Sequence, residues 1–222
     1  MYQFPILDHG TILARPGREN RSLAARADGY RADVDSPPAT PVSRLLDAHR
    51  PADDVEVADV ERIRRWLSDA AGAADPWDRT APLHLTASAF VVHPSTGRVL
   101  LRRHPRQRAW LHVGGHGDPG ETDPVAVALR EAREETGLTD LRLHSPALLH
   151  ALVVPVATSG TTVVEHADLR YLLVTEHPDE VRPERPDAPL RWATLSEARE
   201  LTTEDNVRRS LRRVEAVLRG ER

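Results

Sequence analysis

Cysteine is absent from all 222 residues. That single lack excludes disulfides, thiolate zinc sites and thiol nucleophiles together. Lysine is wanting as well, and arginine and alanine dominate the chain. No apolar run approaches the ~18 residues that span a bilayer. The first residues lack a basic segment leading into an apolar core, so no secretory signal is expected and the cytoplasm is the expected location. Charge of one sign is not in excess either. A formal net charge of −4 gives no general case for nucleic acid or membrane as a partner. What is present is 40% hydrophobic and 29% charged, the balance of a soluble globular chain with one sizeable core and an appendage.

The chain divides into three stretches. Residues 1–40 carry a few apolar side chains, then Arg15, Arg18, Arg21, Arg26 and Arg31 among small residues, and are expected to form an extended or mobile arm. Proline recurs across residues 36–41 as a linker. Residues 41–80 are expected to hold a helical pair. Leu45 and Leu46 mark the apolar side of the first helix, at 42–49. Val57, Val60, Ile63 and Leu67 recur at helical steps through the second, at 55–71. This pair carries no catalytic pattern and suits packing or a homodimer contact. From residue 82 to 222 the pattern changes. Strands are expected at 83–93, 98–103, 110–113, 141–158, 162–175 and 190–193, with a closing amphipathic helix at 203–218. Strands, helix, strands, helix implies a mixed sheet between helical layers.

One stretch in that last segment concentrates charge: Arg130-Glu131-Ala132-Arg133-Glu134-Glu135-Thr136-Gly137-Leu138. At about 100° per residue, a helix gathers Glu131, Glu134 and Glu135 within an arc of roughly 100°. Arg130 stands at the edge of that arc, one turn from Glu134. Val125, Leu129 and Ala132 project from the other side. Three like charges that close repel unless a counter-charge arrives. Arg130 offers one, and a hard divalent cation, which seeks oxygen ligands, offers more. Directly upstream lies a glycine-dense loop, Gly114-Gly115-His116-Gly117-Asp118-Pro119-Gly120-Glu121.

Together the loop and the helix resemble the Nudix box: a Gly, a Glu, then Arg-Glu-apolar-x-Glu-Glu-x-Gly-apolar. Five residues separate Gly115 from Glu121, as in that pattern, and Arg130 to Leu138 match every defined position. Eight residues separate Glu121 from Arg130 where the pattern has seven. The extra residue falls near Thr122-Asp123-Pro124, at the helix start. It spares the carboxylate half and leaves Glu121 without an assigned role. The resemblance covers residues 82–218. It implies an α/β fold of the Nudix-type α/β/α sandwich with a mixed sheet, here preceded by a small helical N-terminal extension.

The resemblance also implies a reaction, the Mg2+-dependent hydrolysis of a pyrophosphate bond in a nucleoside diphosphate linked to another moiety. Mn2+ is the alternative ion. Glu131, Glu134 and Glu135 would hold the metal with the backbone carbonyl of Gly115, and Arg130 would orient a glutamate, making these four side chains the catalytic set. Two flanking features suit substrate contact. Arg102-Arg103-His104-Pro105-Arg106-Gln107-Arg108 could hold a phosphate by forked hydrogen bonds, with Arg103 the candidate. On a strand, His166, Asp168 and Arg170 share one face and could wall a cleft. The His-x-Asp-x-Arg-Tyr pattern resembles one in a bacterial Nudix subgroup whose box loop also reads Gly-Gly-His. His116 follows the metal loop and is a further substrate candidate. His112 and His150 have no assignment. A second reading is a non-catalytic Nudix-fold ligand-binding or regulatory protein, which goes with eroded box glutamates, and here they are complete. The isopentenyl diphosphate isomerase type shares the fold but resembles a cysteine-dependent catalyst, so the missing cysteine rejects it.

Overall fold

The computed structural model describes residues 41–70, 75–157 and 163–221. The expected arm at 1–40, the linker up to residue 40 and a turn expected at Ser159-Gly160 lie outside the described residues. Two helices lead, α1 (Pro41–Ala48) and α2 (Asp54–Ala70). Strands β1 (Leu83–His93), β2 (Arg98–Arg103), β3 (Trp110–Leu111) and β4 (Val113–Gly115) follow, then helix α3 (Pro124–Thr136). Strands β5 (Arg142–Leu143), β6 (His150–Ala157), β7 (Val163–Val174) and β8 (Leu190–Ala193) come next, and helices α4 (Leu195–Leu201) and α5 (Asp205–Leu218) close the chain.

All eight strands join one sheet, with β3-β2-β1-β7-β5 as its main path. β1 and β7 run parallel, and every other pairing is antiparallel. The α/β sandwich with a mixed sheet is therefore present. The alternation of side chains along β1 and β7 assigns the two faces. Leu85, Ala87, Ala167, Leu169 and Tyr171 share a buried cluster with Val127 and Ala128 of α3, and with Val42, Leu46, Val60, Ile63 and Leu67 of the leading helices. Phe90, Val92, Leu172 and Val174 take the other face and pack on Ala198 of α4 and on Val207, Leu211 and Val214 of α5. Among the described residues no helix is long and apolar enough to cross a membrane.

Three elements differ from the sequence pattern. The apolar run expected as one strand at 141–158 is two strands, β5 and β6, with Ser145-Pro146 between them. Proline has no N–H for the ladder, which is reason enough to break there. α4 was not expected, though Thr194 and Glu197 form a capping box at its start. The closing helix begins at Asp205, two residues later than its apolar stripe suggested.

Candidate active site

The helix α3 is bounded by its own sequence. Asp123 is its N-cap, with its carboxylate accepting from the Val125 N–H, and Pro124 fills the first turn where no N–H is missed. Gly137 closes it in left-handed backbone at φ 68°. The extra residue of the box is absorbed at this N-cap, ahead of the first turn. Downstream of it the helix runs without interruption through Arg130, Glu131, Glu134 and Glu135.

β4 brings the glycine loop against that helix. Gly114 pairs with Ser88 of β1, and a Cβ on Gly114 would lie 2.4 Å from the Ser88 Cα. Only glycine allows the two backbones that close approach. A Cβ on Gly115 would meet the Glu131 carboxylate at 2.7 Å. The missing side chain thus leaves a cradle in which a carboxylate lies directly on the loop backbone.

Arg130 gathers the site. Its Nη1 donates to Glu131 Oε1 at 3.1 Å and to Glu134 Oε2 at 3.2 Å. Its Nη2 donates to the His116 carbonyl at 2.9 Å and to Glu121 Oε2 at 2.8 Å. Sequence reasoning left Glu121 without a role, and the structure makes it the main partner of Arg130. Glu135, expected among the metal ligands, is only 8% exposed. Its Oε1 lies 3.0 Å from Arg102 Nη1, and its Oε2 accepts from the Gly114 N–H at 3.1 Å. Burial pushes its carboxyl up to about 7, against the opposing pull of Arg102 and Gly114. Burial also raises Glu131, with Arg130 opposing. Glu134 is the most open of the three, with 52% of its side chain exposed. These are oxygen donors beside a glycine loop, Glu135 buried and Glu131 half-buried, where negative charge is disfavoured. That chemistry fits a hard divalent cation, which would relieve the cost.

The flanking candidates divide. Arg103 is half-buried at the end of β2, without an ion-pair partner among the described residues. Its neighbour Arg102 is committed inward to Glu135 and Glu184. His166, Asp168 and Arg170 do share one face of β7, but they do not form an open cleft wall. Asp168 is 4% exposed and Arg170 2%. Arg170 Nε donates to Asp168 at 2.7 Å, and its Nη atoms donate to Ser210 at 2.8 Å and to Asn206 Oδ1 at 2.7 Å on α5. Thr86 and Ser88 donate to Asp168 from β1, and His112 Nε2 lies 3.6 Å away. Burial opposes the Asp168 charge, yet Arg170, His112 and Ser88 hold its carboxyl well below the usual range. The pair is an interior tie between sheet and α5, where the packed helix covers the strand face that alternation alone leaves open.

His116 and His166 do come together, and with a residue that sequence reasoning missed, His84 of β1. Burial lowers both His116 and His166 to about 4. His84 gave no signal of its own, being a lone histidine in an apolar strand, 32 residues from His116. His150 is buried against Ser210, with its Nδ1 2.7 Å from the hydroxyl, and takes no part in the carboxylate site. Glu56, also missed, is fully buried on α2 and accepts from the Ala151 N–H at 3.0 Å.

Known proteins resemble the chain in fold. Among solved structures, an Ap4A hydrolase from C. elegans, in a binary complex, is 24% identical over 61% of this chain and 98% of that chain, with a TM-score of 0.51. A NUDIX-family hydrolase from Clostridium perfringens is 22% identical over 60% of this chain and 97% of that one, with a TM-score of 0.46. No curated protein matches. The NUDIX domain model matches residues 82–214, more than half of the sequence and all of the carboxylate site. The chain belongs to the NUDIX family.

Proposed function

We propose that the chain hydrolyses, with Mg2+, a pyrophosphate bond in a nucleoside diphosphate linked to another moiety. Membership of the NUDIX family supports a pyrophosphohydrolase. The proposal adds the ion, the residues and the substrate class. One observation carries it: Glu131 and Glu134 converge on a single guanidinium nitrogen of Arg130, with Glu131 pressed on the Gly115 backbone. An intact set of carboxylates placed that way is of no use to a fold that has lost its chemistry.

Glu131, Glu134 and Glu135 would hold the ion, with the Gly115 carbonyl. When bound, Mg2+ neutralises pyrophosphate charge and polarises a phosphoryl oxygen. The protein's own part is positional. Arg130 fixes the rotamers of Glu131 and Glu134 and ties them to the loop through the His116 carbonyl. Arg102 fixes Glu135 from the neighbouring strand. Arg103 is the proposed phosphate contact, since its charge is not spent on a carboxylate. Mn2+, with similar oxygen chemistry, is the proposed substitute ion.

A panel of nucleoside diphosphate derivatives, dinucleotides and nucleoside triphosphates tests the reading. Phosphate release after phosphatase treatment is measured with and without Mg2+. Turnover of at least one compound only with the ion supports it. Tight binding of a compound with no turnover on any would favour a ligand-binding role instead.

A further inference from the structure

Three histidines meet at one end of the sheet, and the carboxylate chemistry does not use their rings. Two come from neighbouring strands and one from the loop after a third. His84 of β1 stands in register with His166 of β7. His116 follows β4, whose Gly115 is in register with Ala87 of β1. Adjacent strands lie about 4.8 Å apart, so His84 and His166, in register on one face, must touch, and His116 reaches them from the loop just past β4. The ring centroids are 4.8 Å apart for His84 and His166, 5.0 Å for His116 and His166, and 5.1 Å for His84 and His116.

The nitrogens converge as well as the rings. Each histidine offers one ring nitrogen, and the three lie within 4.8 Å of one another. Among the described residues, this is the one group of three or more metal-ligating side chains brought so close. His84 Nδ1 lies 2.9 Å from the Ala81 carbonyl, an acceptor only, so that nitrogen carries the proton. Its Nε2 then carries the lone pair and accepts from His116 Nε2 at 3.1 Å, a proton that a metal ion would replace. A backbone carbonyl holding the far nitrogen of a histidine is the usual support of a metal-bound imidazole. His84 and His116 stack at 28°, while His166 stands at 81° to His116 and at 54° to His84.

The group is separate from the carboxylates. By strand alternation His84 and His166 lie on the face of Phe90 and Leu172, opposite the face that packs on α3. The two places meet at His116, whose carbonyl accepts from Arg130 while its ring faces His84 and His166. The nearest acid in sequence, Glu165, is tied to Arg62.

We propose that His84, His116 and His166 form a second metal site, which takes a borderline divalent transition cation such as Zn2+ and leaves one coordination position open. Three imidazoles without a carboxylate are a poor donor set for Mg2+ and a good one for Zn2+. Three protein ligands with a vacant fourth position also distinguish reactive zinc sites from closed structural ones. The proposal does not rest on the hydrolytic reading.

The full chain, stripped with chelator and dialysed, is titrated with Zn2+ in competition with a chromophoric chelator. Co2+ is added separately to read its visible d–d bands. The expected result is one Zn2+ per chain, with intense Co2+ bands of low coordination number. His166→Ala and His84→Ala should each weaken Zn2+ by more than ~10-fold, since even second partners of ligands act on that scale. His166 is partly exposed and its variant should stay folded if buried His84→Ala does not. A Glu131→Gln, Glu134→Gln double variant should keep the Zn2+ and the Co2+ bands. Wild type without stoichiometric Zn2+ overturns the proposal. So does uptake that survives His166→Ala, or that is lost with the glutamates instead.

Discussion

Arg130 faces Glu121 across nine residues of chain, with Nε 3.1 Å from Oε1 and Nη2 2.8 Å from Oε2. The fork-on-carboxylate geometry fixes the guanidinium in orientation as well as place. It is this clamp that lets one arginine hold Glu131, Glu134 and the His116 carbonyl at once. The box therefore tolerates its extra residue, because the N-cap at Asp123 takes up the length and Glu121 still reaches its partner.

Glu121→Gln should separate activity from stability. The pair is part-exposed, so its loss should cost about 1 kcal/mol or less. Hydrolysis should fall by ~10-fold or more, as for other groups that orient metal ligands. Thermal melts and turnover of the same preparation check it. Equal losses in both would mean that Glu121 merely holds the loop.

Glu135 predicts a proton linked to metal binding. Burial lifts its carboxyl from 4.5 to about 7. A raised folded pKa stabilises the protonated form, so its contribution to stability is complete below about 4.5 and is lost as pH rises through about 7. A cation must displace that proton. Apparent Mg2+ affinity should therefore drop as pH falls below about 7, with close to one proton released per ion on the acid side. Calorimetric titrations in buffers of different ionisation enthalpy measure it, and equal heats in all buffers would contradict it.

Glu56 predicts the acid limb of stability. It accepts from the Ala52 N–H at 2.8 Å, lies 2.7 Å from His49 Nε2 and meets Arg213 at 2.6 Å. Burial works against its charge, but these partners and Ala151 win and hold it at about 2. A depressed folded pKa gives stability that is present above about 4.5 and lost as pH falls towards about 2. Glu56→Gln should flatten that slope in denaturant titrations. Glu56→Ala, which strands a buried cation, should cost ~3–5 kcal/mol.

Arg170→Met tests the buried tie. Removing one member of a buried pair should cost ~3–5 kcal/mol and leave the KM of the folded fraction unchanged. A raised KM with unchanged stability would instead put Arg170 at the substrate.

Local chemistry was legible in the sequence. Asp123, Pro124 and Gly137 mark both ends of α3, and alternation along β7 puts His166, Asp168 and Arg170 on one face. What lies over that face was not legible. α5 covers it through Asn206 and Ser210, which are 36 and 40 residues from Arg170. A helical wheel places Glu135 with the other carboxylates but does not contain Arg102, which meets it from a different strand. The histidine group needs three strands in register, and no spacing in the chain announces it. Glu56 meets the Ala151 N–H across 95 residues, an encounter that only the packed fold creates.

The central claim is that the carboxylates of α3 hold the ion that hydrolysis needs. Turnover of Glu134→Gln on the best substrate of the panel, in saturating Mg2+, tests it most directly. Glu134 is the most exposed of the three, so the variant should fold as wild type does. The account predicts a loss of at least ~10²-fold, at the upper end of what even the partners of metal ligands contribute. Unchanged turnover by a folded Glu134→Gln protein would contradict it.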